Sequence, residues 1–254
     1  MQLEQQLRDK LKDKDILLMT HIVLGYPSLD VNREVIRQMV ENGVDCIEMQ
    51  IPFSEPMADG PVILKANQDS LATGTKVADC FTFAAEIAEQ YDIPFLFMTY
   101  YNIIFKYGEE AFFKRAKESG IKGLIIPDLP PEMGKSFLTL ADKYQIAPIL
   151  IYTPTSTDGR MKKLATYGDG FIYCVARRGV TGKKSEFDQD FDGYLARCRA
   201  ATKLPLAVGF GIRSKEDIEA LKGKADMAVI GSRTIQLVES EGAAAVGPFI
   251  ASLR

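Results

Sequence analysis

Two kinds of apolar pattern alternate along this chain. Short unbroken apolar runs are followed by stretches in which apolar residues return every three or four positions. Leu3, Leu7 and Leu11 stand four apart and predict a short helix over Leu3 to Lys12. Ile16 to Leu24 is the first unbroken run, closed by Gly25-Tyr-Pro-Ser28. Ser28 is placed to cap a helix that carries Val31, Val35, Ile36, Met39 and Val40 on one face and stops at Asn42-Gly43. The same unit then recurs. Strands are predicted over Asp45–Ile51, Phe95–Thr99, Gly123–Ile126, Ala147–Tyr152, Gly170–Val175, Leu206–Gly209 and Asp226–Ile230. Between and after them fall predicted helices over Val77–Glu89, Glu110–Ser119, a segment after Pro131 burying Met133, Phe137, Leu140 and Tyr144, Asp158–Ala165, Phe191–Ala201, a segment opened by the capping box Ser214-Lys-Glu-Asp217, and Thr234–Leu253.

The strands are continuous apolar runs, not alternating ones, as suits parallel strands buried on both faces. Eight strand–helix units within 254 residues predict a single-domain (β/α)8 TIM barrel with an extra N-terminal helix. An open doubly wound sheet would usually bring a glycine-rich dinucleotide turn after the first strand, and Gly25-Tyr-Pro-Ser28 is not one. Two strand-to-helix links are long, Pro52 to about Lys76 and Ala176 to about Asp190, and in a barrel such loops lie on the C-terminal face where active sites form.

Composition narrows the function classes. The net charge of −3, from 31 basic and 34 acidic residues, argues against a nucleic-acid or membrane partner held mainly by charge. No apolar signal core or membrane-length apolar run is visible, and Cys46, Cys80, Cys174 and Cys198 form no CxxC pair, so reduced thiols in a cytoplasmic protein are expected. His21 is the only histidine, which excludes histidine metal clusters, and no metal is expected.

Glu48 interrupts the apolar second strand, and Asp59 follows in the loop before Gly60-Pro61. Strand neighbours alternate in direction, so Glu48 and Cys46 share one face and Ile47 and Met49 the other. A carboxylate taken partly out of water holds a proton more readily, and such a group can both donate and accept one. On these residues alone the other reading is as good: Glu48 pairs with a core Arg or Lys, and Asp59 caps the helix at Pro61. Glycine-bearing turns follow three late strands: Arg178-Gly-Val-Thr-Gly182, Gly209-Phe-Gly-Ile212 with Phe210 inside it, and Gly231-Ser232. Glycine lets backbone N–H groups approach an anion, and a helix starting at Ser232 would add the positive end of its dipole.

The segment from Glu48 to Pro61 resembles the signature of the tryptophan synthase alpha subunit family, roughly Glu-Leu-Gly-Val-Pro-Phe-Ser-Asp-Pro-Leu-Ala-Asp-Gly-Pro. The resemblance extends from Leu3 to the last helix. It implies a lyase of L-tryptophan biosynthesis that splits indole-3-glycerol phosphate into indole and glyceraldehyde 3-phosphate. By resemblance Glu48 is the acid/base catalyst and Asp59 meets the indole nitrogen. The phosphate falls on Gly182, Gly211, Gly231 and Ser232. Thr181 belongs to a loop closing over substrate opposite Asp59. Tyr173, Asp128, His21 and Phe210 line the substrate, with capping of the next helix as the other reading of Asp128 and a hydrogen-bonded core role as the other reading of His21. No cofactor is implied in this chain; pyridoxal phosphate is expected only in a partner beta subunit, within an α2β2 complex. Three further readings stay open: a stand-alone lyase releasing free indole, a catalytically silent allosteric barrel, and a phosphate-sugar isomerase. The chain departs from the family pattern at His21 (usually Phe), Tyr26 (Asp), Gln50 (Gly) and Glu55 (Asp).

Overall fold

Eight parallel strands close into one ring in chain order, each hydrogen-bonded to the next and the last to the first. A computed structural model describes residues 2–175, 191–209 and 211–254. The strands are β1 (Leu17–Val23), β2 (Cys46–Gln50), β3 (Phe95–Met98), β4 (Gly123–Ile125), β5 (Ala147–Tyr152), β6 (Ile172–Val175), β7 (Leu206–Gly209) and β8 (Met227–Ile230). Around them stand α1 (Gln2–Lys10), α2 (Leu29–Glu41), α3 (Pro61–Ala72), α4 (Val77–Gln90), α5 (Tyr101–Tyr107), α6 (Glu109–Glu118), α7 (Lys135–Tyr144), α8 (Asp158–Ala165), α9 (Phe191–Ala201), α10 (Lys215–Glu219), α11 (Ser232–Glu241) and α12 (Val246–Ser252). The TIM barrel predicted from the apolar runs is the observed fold.

Strand alternation divides the core in two. Leu18, Ile22, Ile47, Met49, Phe95, Phe97, Leu124, Val208, Ala228 and Ile230 point outward and pack under the helices. Leu17, Met19, Cys46, Leu96, Met98, Ile125, Ala147, Ile149, Ala207, Met227 and Val229 point inward and fill the barrel. The extra helix α1 closes the floor: its buried Leu3 and Leu7 join that interior cluster. A Cβ on Gly123 would stand 3.2 Å from the Leu3 side chain, and one on Gly170, which has φ +75°, only 2.7 Å from it. Glycine at those two positions makes room for the plug.

Two carboxylates, one buried and one partly exposed, also lock the floor. Asp45, 1% exposed, accepts from the Leu18 N–H at 2.9 Å, from Lys14 Nζ at 2.5 Å and from Arg254 Nη2 at 2.6 Å. Asp226 accepts from the Leu206 N–H at 2.6 Å and pairs with Arg199. Each ties the start of its own strand to the strand before it. All four cysteines are free and buried.

Several local expectations change. The link from Pro52 to Lys76 is not wholly loop, because it contains α3, which starts at Pro61 after Gly60. Only Ala66, Asn67 and Ser70 of α3 are buried, so it shows little apolar periodicity. The helix after Pro131 begins only at Lys135: the N–H groups of Met133 and Gly134 turn back to the Pro130 carbonyl, and Met133, expected to be buried, lies on the surface. Leu140 and Tyr144 of α7 are half-buried. The last predicted helix is two, α11 and α12, divided at Gly242 with φ +85°. The expected Ser28 cap is present, its Oγ accepting from the Val31 N–H at 3.2 Å.

Leu7→Ala should lose about 3 kcal/mol of stability, as buried leucine truncations do. The exposed Gln6→Ala should stay within about 0.5 kcal/mol of wild type. Urea unfolding compares the two, and equal midpoints would show that α1 does not close the core.

Candidate active site

The C-terminal mouth of the barrel holds the polar residues that the interior below lacks. On β1 and β2 the register sets His21 beside Glu48 and Val23 beside Gln50. His21, Glu48 and Gln50 alternate with outward-facing Ile22, Met49 and Ile51, so all three face inward, and their exposures are 4%, 3% and 0%. His21 Nδ1 lies 3.2 Å from Glu48 Oε1. Among the described residues, Glu48 Oε2, His21 Nε2 and Gln50 Oε1 have no hydrogen-bond partner. A buried carboxylate oxygen without a donor is costly, and functional sites are where such atoms persist. Among the described residues Glu48 therefore pairs with no Arg or Lys; its neighbour is the imidazole.

Asp59 arrives from the β2–α3 connection. Its Oδ2 accepts from Gln50 Nε2 at 2.7 Å and from the Tyr100 hydroxyl at 3.2 Å. Tyr100, just past β3, also accepts the Ala58 N–H at 3.0 Å and stacks on Phe53 with ring centroids 5.0 Å apart. The helix that follows is capped by Gly60 without a side-chain bond, so Asp59 is not a helix cap. Burial pushes the Asp59 carboxyl above the usual carboxylate range against the hydrogen bonds from Gln50 and Tyr100 and the pull of His21. For His21, burial is the largest single effect and opposes charge, but Glu48, Asp59 and Gln50 together outweigh it, and the pKa is raised. Tyr173 on β6 is pushed well above the ordinary phenol value by burial, with Glu48 and Asp59 adding to the shift. Its ring lies over Gly209, where an added Cβ would stand 3.2 Å from Tyr173 Cε1.

One of the glycine turns expected to meet an anion, Gly231-Ser232, stands beside His21. Gly231 precedes the first residue of α11, Ser232, and an added Cβ on Gly231 would be 4.0 Å from the His21 Cβ. The Thr234 hydroxyl donates to the His21 carbonyl at 3.3 Å and to the Gly231 carbonyl at 2.8 Å, tying the first turn of α11 to β1. Gly211 has φ +74°, with open space where a side chain would stand. The turn after it is held by Asp217 Oδ2, which accepts from the N–H groups of Arg213 and Ser214 at 2.9 and 3.1 Å. Helix N-terminal N–H groups and their dipole make α11 a suitable anion seat.

Asp128 does not cap the helix that follows it, α7, whose cap is Gly134: both its oxygens accept from the Tyr101 N–H, at 2.9 and 3.2 Å, at the start of α5. Thr181, Gly182 and Phe210 lie outside the described residues. The sequence reading missed Tyr100 altogether and gave Gln50 no role; only a polar tip at the exit of an apolar strand signals the first. Among the described residues no group of three His, Cys, Asp or Glu side chains could hold a metal ion.

Chemically, a carboxyl group with an open oxygen can give and take a proton, a second carboxylate can accept an N–H, and the backbone N–H groups at the start of α11 can meet an anion. Residues 7–247 match the family model described as tryptophan synthase alpha chain. The chain is 72% identical to a tryptophan synthase alpha chain of Desulfotalea psychrophila over the full length of both. It is 58% identical to that of Syntrophotalea carbinolica over 99% of this chain and 100% of the relative. It superposes on a tryptophan synthase crystal structure from M. tuberculosis with a TM-score of 0.90 at 26% identity, covering 99% of this chain and 96% of the other.

Tyr100→Phe should leave the Ala58 N–H without its acceptor and cost about 1–2 kcal/mol in chemical unfolding. Because the Tyr100 hydrogen bond lowers the Asp59 pKa, its loss should move the Asp59 titration further up. Carbon-detected NMR of the carboxyl groups reads this, and a downward shift would refute the arrangement.

Proposed function

The chain belongs to the tryptophan synthase alpha chain family, and we propose that within its barrel Glu48 and Asp59 form the catalytic pair. The family reaction is a carbon–carbon lyase step of tryptophan biosynthesis, which cleaves indole-3-glycerol phosphate to indole and glyceraldehyde 3-phosphate. The observation that carries the assignment is the convergence of two carboxyl groups at one buried mouth, one of them keeping an unpartnered oxygen. Glu48 protonates the indole ring carbon that bears the glycerol phosphate. Asp59 accepts the ring N–H and stabilises the indolenine cation that forms. Glu48, now a carboxylate, takes the proton of the side-chain hydroxyl next to the breaking bond. The carbon–carbon electron pair returns to the ring, releasing indole and leaving the aldehyde. Gly211, Gly231 and Ser232 hold the phosphate, with Gly182 joining them, so that binding energy at the far end fixes the reacting end. Tyr173 packs over the substrate. Thr181 and Phe210 keep the substrate contacts that the resemblance implies, and Asp128 supports the site indirectly by fixing the start of α5. The single-domain barrel uses no cofactor for this step. Four free, buried cysteines suit a reducing cytoplasm.

The partner in this reading is a beta subunit carrying pyridoxal phosphate, in an α2β2 complex. The exposed large hydrophobic side chains support it: Met57, Phe105 and Met133 are 85%, 67% and 78% exposed. They lie on the connections after β2, β3 and β4, three neighbouring strands, so they share one sector of the C-terminal face. An apolar sector beside the site suits a partner that receives indole directly.

Glu48→Gln should lose turnover by about a thousandfold or more while keeping the far-ultraviolet spectrum and unfolding midpoint. Turnover within about tenfold of wild type would sink the assignment. Indole release by the chain alone should be slow and rise strongly when a beta subunit is added. Fast release that the partner leaves unchanged would point to the stand-alone lyase. Phe105→Asp should weaken that stimulation by about tenfold or more, as loss of a buried aromatic anchor does.

A further inference from the structure

The imidazole of His21 is buried against Glu48, and the Gln50 amide is buried against Asp59, both on the inward face of two paired strands. Neither residue belongs to the pattern on which the catalytic assignment rests. We propose that His21 and Gln50 are positioning residues for the carboxylate pair: His21 donates from Nδ1 to Glu48 Oε1, so that Oε2 is the oxygen presented to substrate, while Gln50 fixes Asp59. This rests on the proposed catalytic roles of Glu48 and Asp59 and adds to them.

Geometry supports it first. A glutamate side chain has three rotatable bonds, and one inside a barrel mouth needs a fixed partner to present a single oxygen. Glu48 Oε1 has that partner at 3.2 Å, and Oε2 has none among the described residues. The backbone of His21 is itself held, its carbonyl accepting from Thr234 of α11. The phosphate seat and the acid/base group are thus joined through one residue. Gln50 plays the matching part for Asp59, with a 2.7 Å bond from Nε2.

Charge supports it second. The groups facing His21 are Glu48 and Gln50 of β2, Asp59 of the loop beyond, and the Thr234 hydroxyl at its carbonyl. Tyr173 of β6 faces the same two carboxyl groups. Acidic neighbours outweigh burial, so the imidazole keeps its proton above its ordinary value. While protonated, the imidazole donates from Nδ1 to Glu48 Oε1 and places a positive charge beside the carboxyl group. A rise in pH through the raised His21 value removes that charge, and activity falls on that limb.

Because His21 is the only histidine in the chain, its Cε1 proton can be followed by NMR without assignment. In the wild-type chain its titration midpoint should lie above 6.5, the ordinary value. In Glu48→Gln it should fall below that value, since burial then acts with little opposition. A wild-type midpoint at or below 6.5 that does not respond to Glu48→Gln would overturn the pairing. Kinetics test the consequence. His21→Phe should lower kcat by about 10- to 100-fold with KM within about threefold, and move the alkaline limb of the kcat profile to lower pH. His21→Asn, which can still donate to Glu48 but does not titrate, should recover most of that kcat and keep the displaced limb. Wild-type kcat and pH profile in His21→Phe, beside an inactive Glu48→Gln, would overturn the role of His21 and leave the catalytic pair standing. An active Glu48→Gln would instead remove the catalytic reading on which both rest.

Discussion

The two-residue alternation of strands closed into a ring governs this molecule. Each strand has one face toward the helices and one toward the axis, and a closed ring has no edge at which register could relax. Once Met19 stands opposite Cys46, His21 must stand opposite Glu48 and Val23 opposite Gln50. A slip of one residue in β2 would turn Glu48 into the layer of Met49, Phe97 and Phe81 and bring Ile47 to the mouth. The apolar residues of β2 therefore do more than fill space. Ile47 and Met49, completely buried beneath the helices, hold the carboxylate to the inside.

Along the axis the interior changes character. The floor is apolar and closed by Leu3 and Leu7; the mouth carries His21, Glu48, Gln50, Tyr173 and the Asp59 loop. Buried carboxylates occur at both ends, and their satisfaction differs. Asp45 at the floor receives a backbone N–H, a lysine and an arginine, and so has donors on both oxygens. Glu48 at the mouth has one neighbour and one open oxygen. Removing a charge from water costs several kcal/mol unless hydrogen bonds replace the lost solvent. The fully paired group stabilises the fold. The half-paired one costs stability and keeps an oxygen open to the mouth, and that contrast is what the proposed catalytic role of Glu48 rests on.

Much of this was legible in the residues. Strands β5 and β7 and helices α8 and α9 lie where their apolar runs and periodicity put them, and Ser28 caps as its position predicts. What escaped had physical causes. Helix α3 buries a face of Ala66, Asn67 and Ser70, whose size and polarity leave no stripe to read. Pro131 is compatible with a helix start, but the chain spends another turn on the Pro130 carbonyl first. In the site, Glu48 announced itself as a charge inside an apolar run, and Asp59 by the turn behind it. Their partners did not, because Tyr100 is 41 residues from Asp59 and meets it only through strand pairing. Asp128 shows the same limit: its bond is to the start of α5, 27 residues earlier in the chain, a contact that only the fold brings about.

The two departures at His21 and Gln50 lose their arbitrariness in this setting. A histidine in place of the usual phenylalanine would, alone in an apolar wall, be held neutral by burial and leave polar nitrogens unsatisfied. A glutamine in place of glycine would by itself crowd the mouth and bury an amide. Side by side on paired strands, each is accommodated by a carboxyl group already required there: the imidazole by Glu48, the amide by Asp59. The carboxylates gain donors in return, at positions where phenylalanine and glycine could offer none. The mouth thus holds two donor–carboxyl pairs on adjacent strands, beside the stacked rings of Phe53 and Tyr100 and the Tyr173 ring over Gly209.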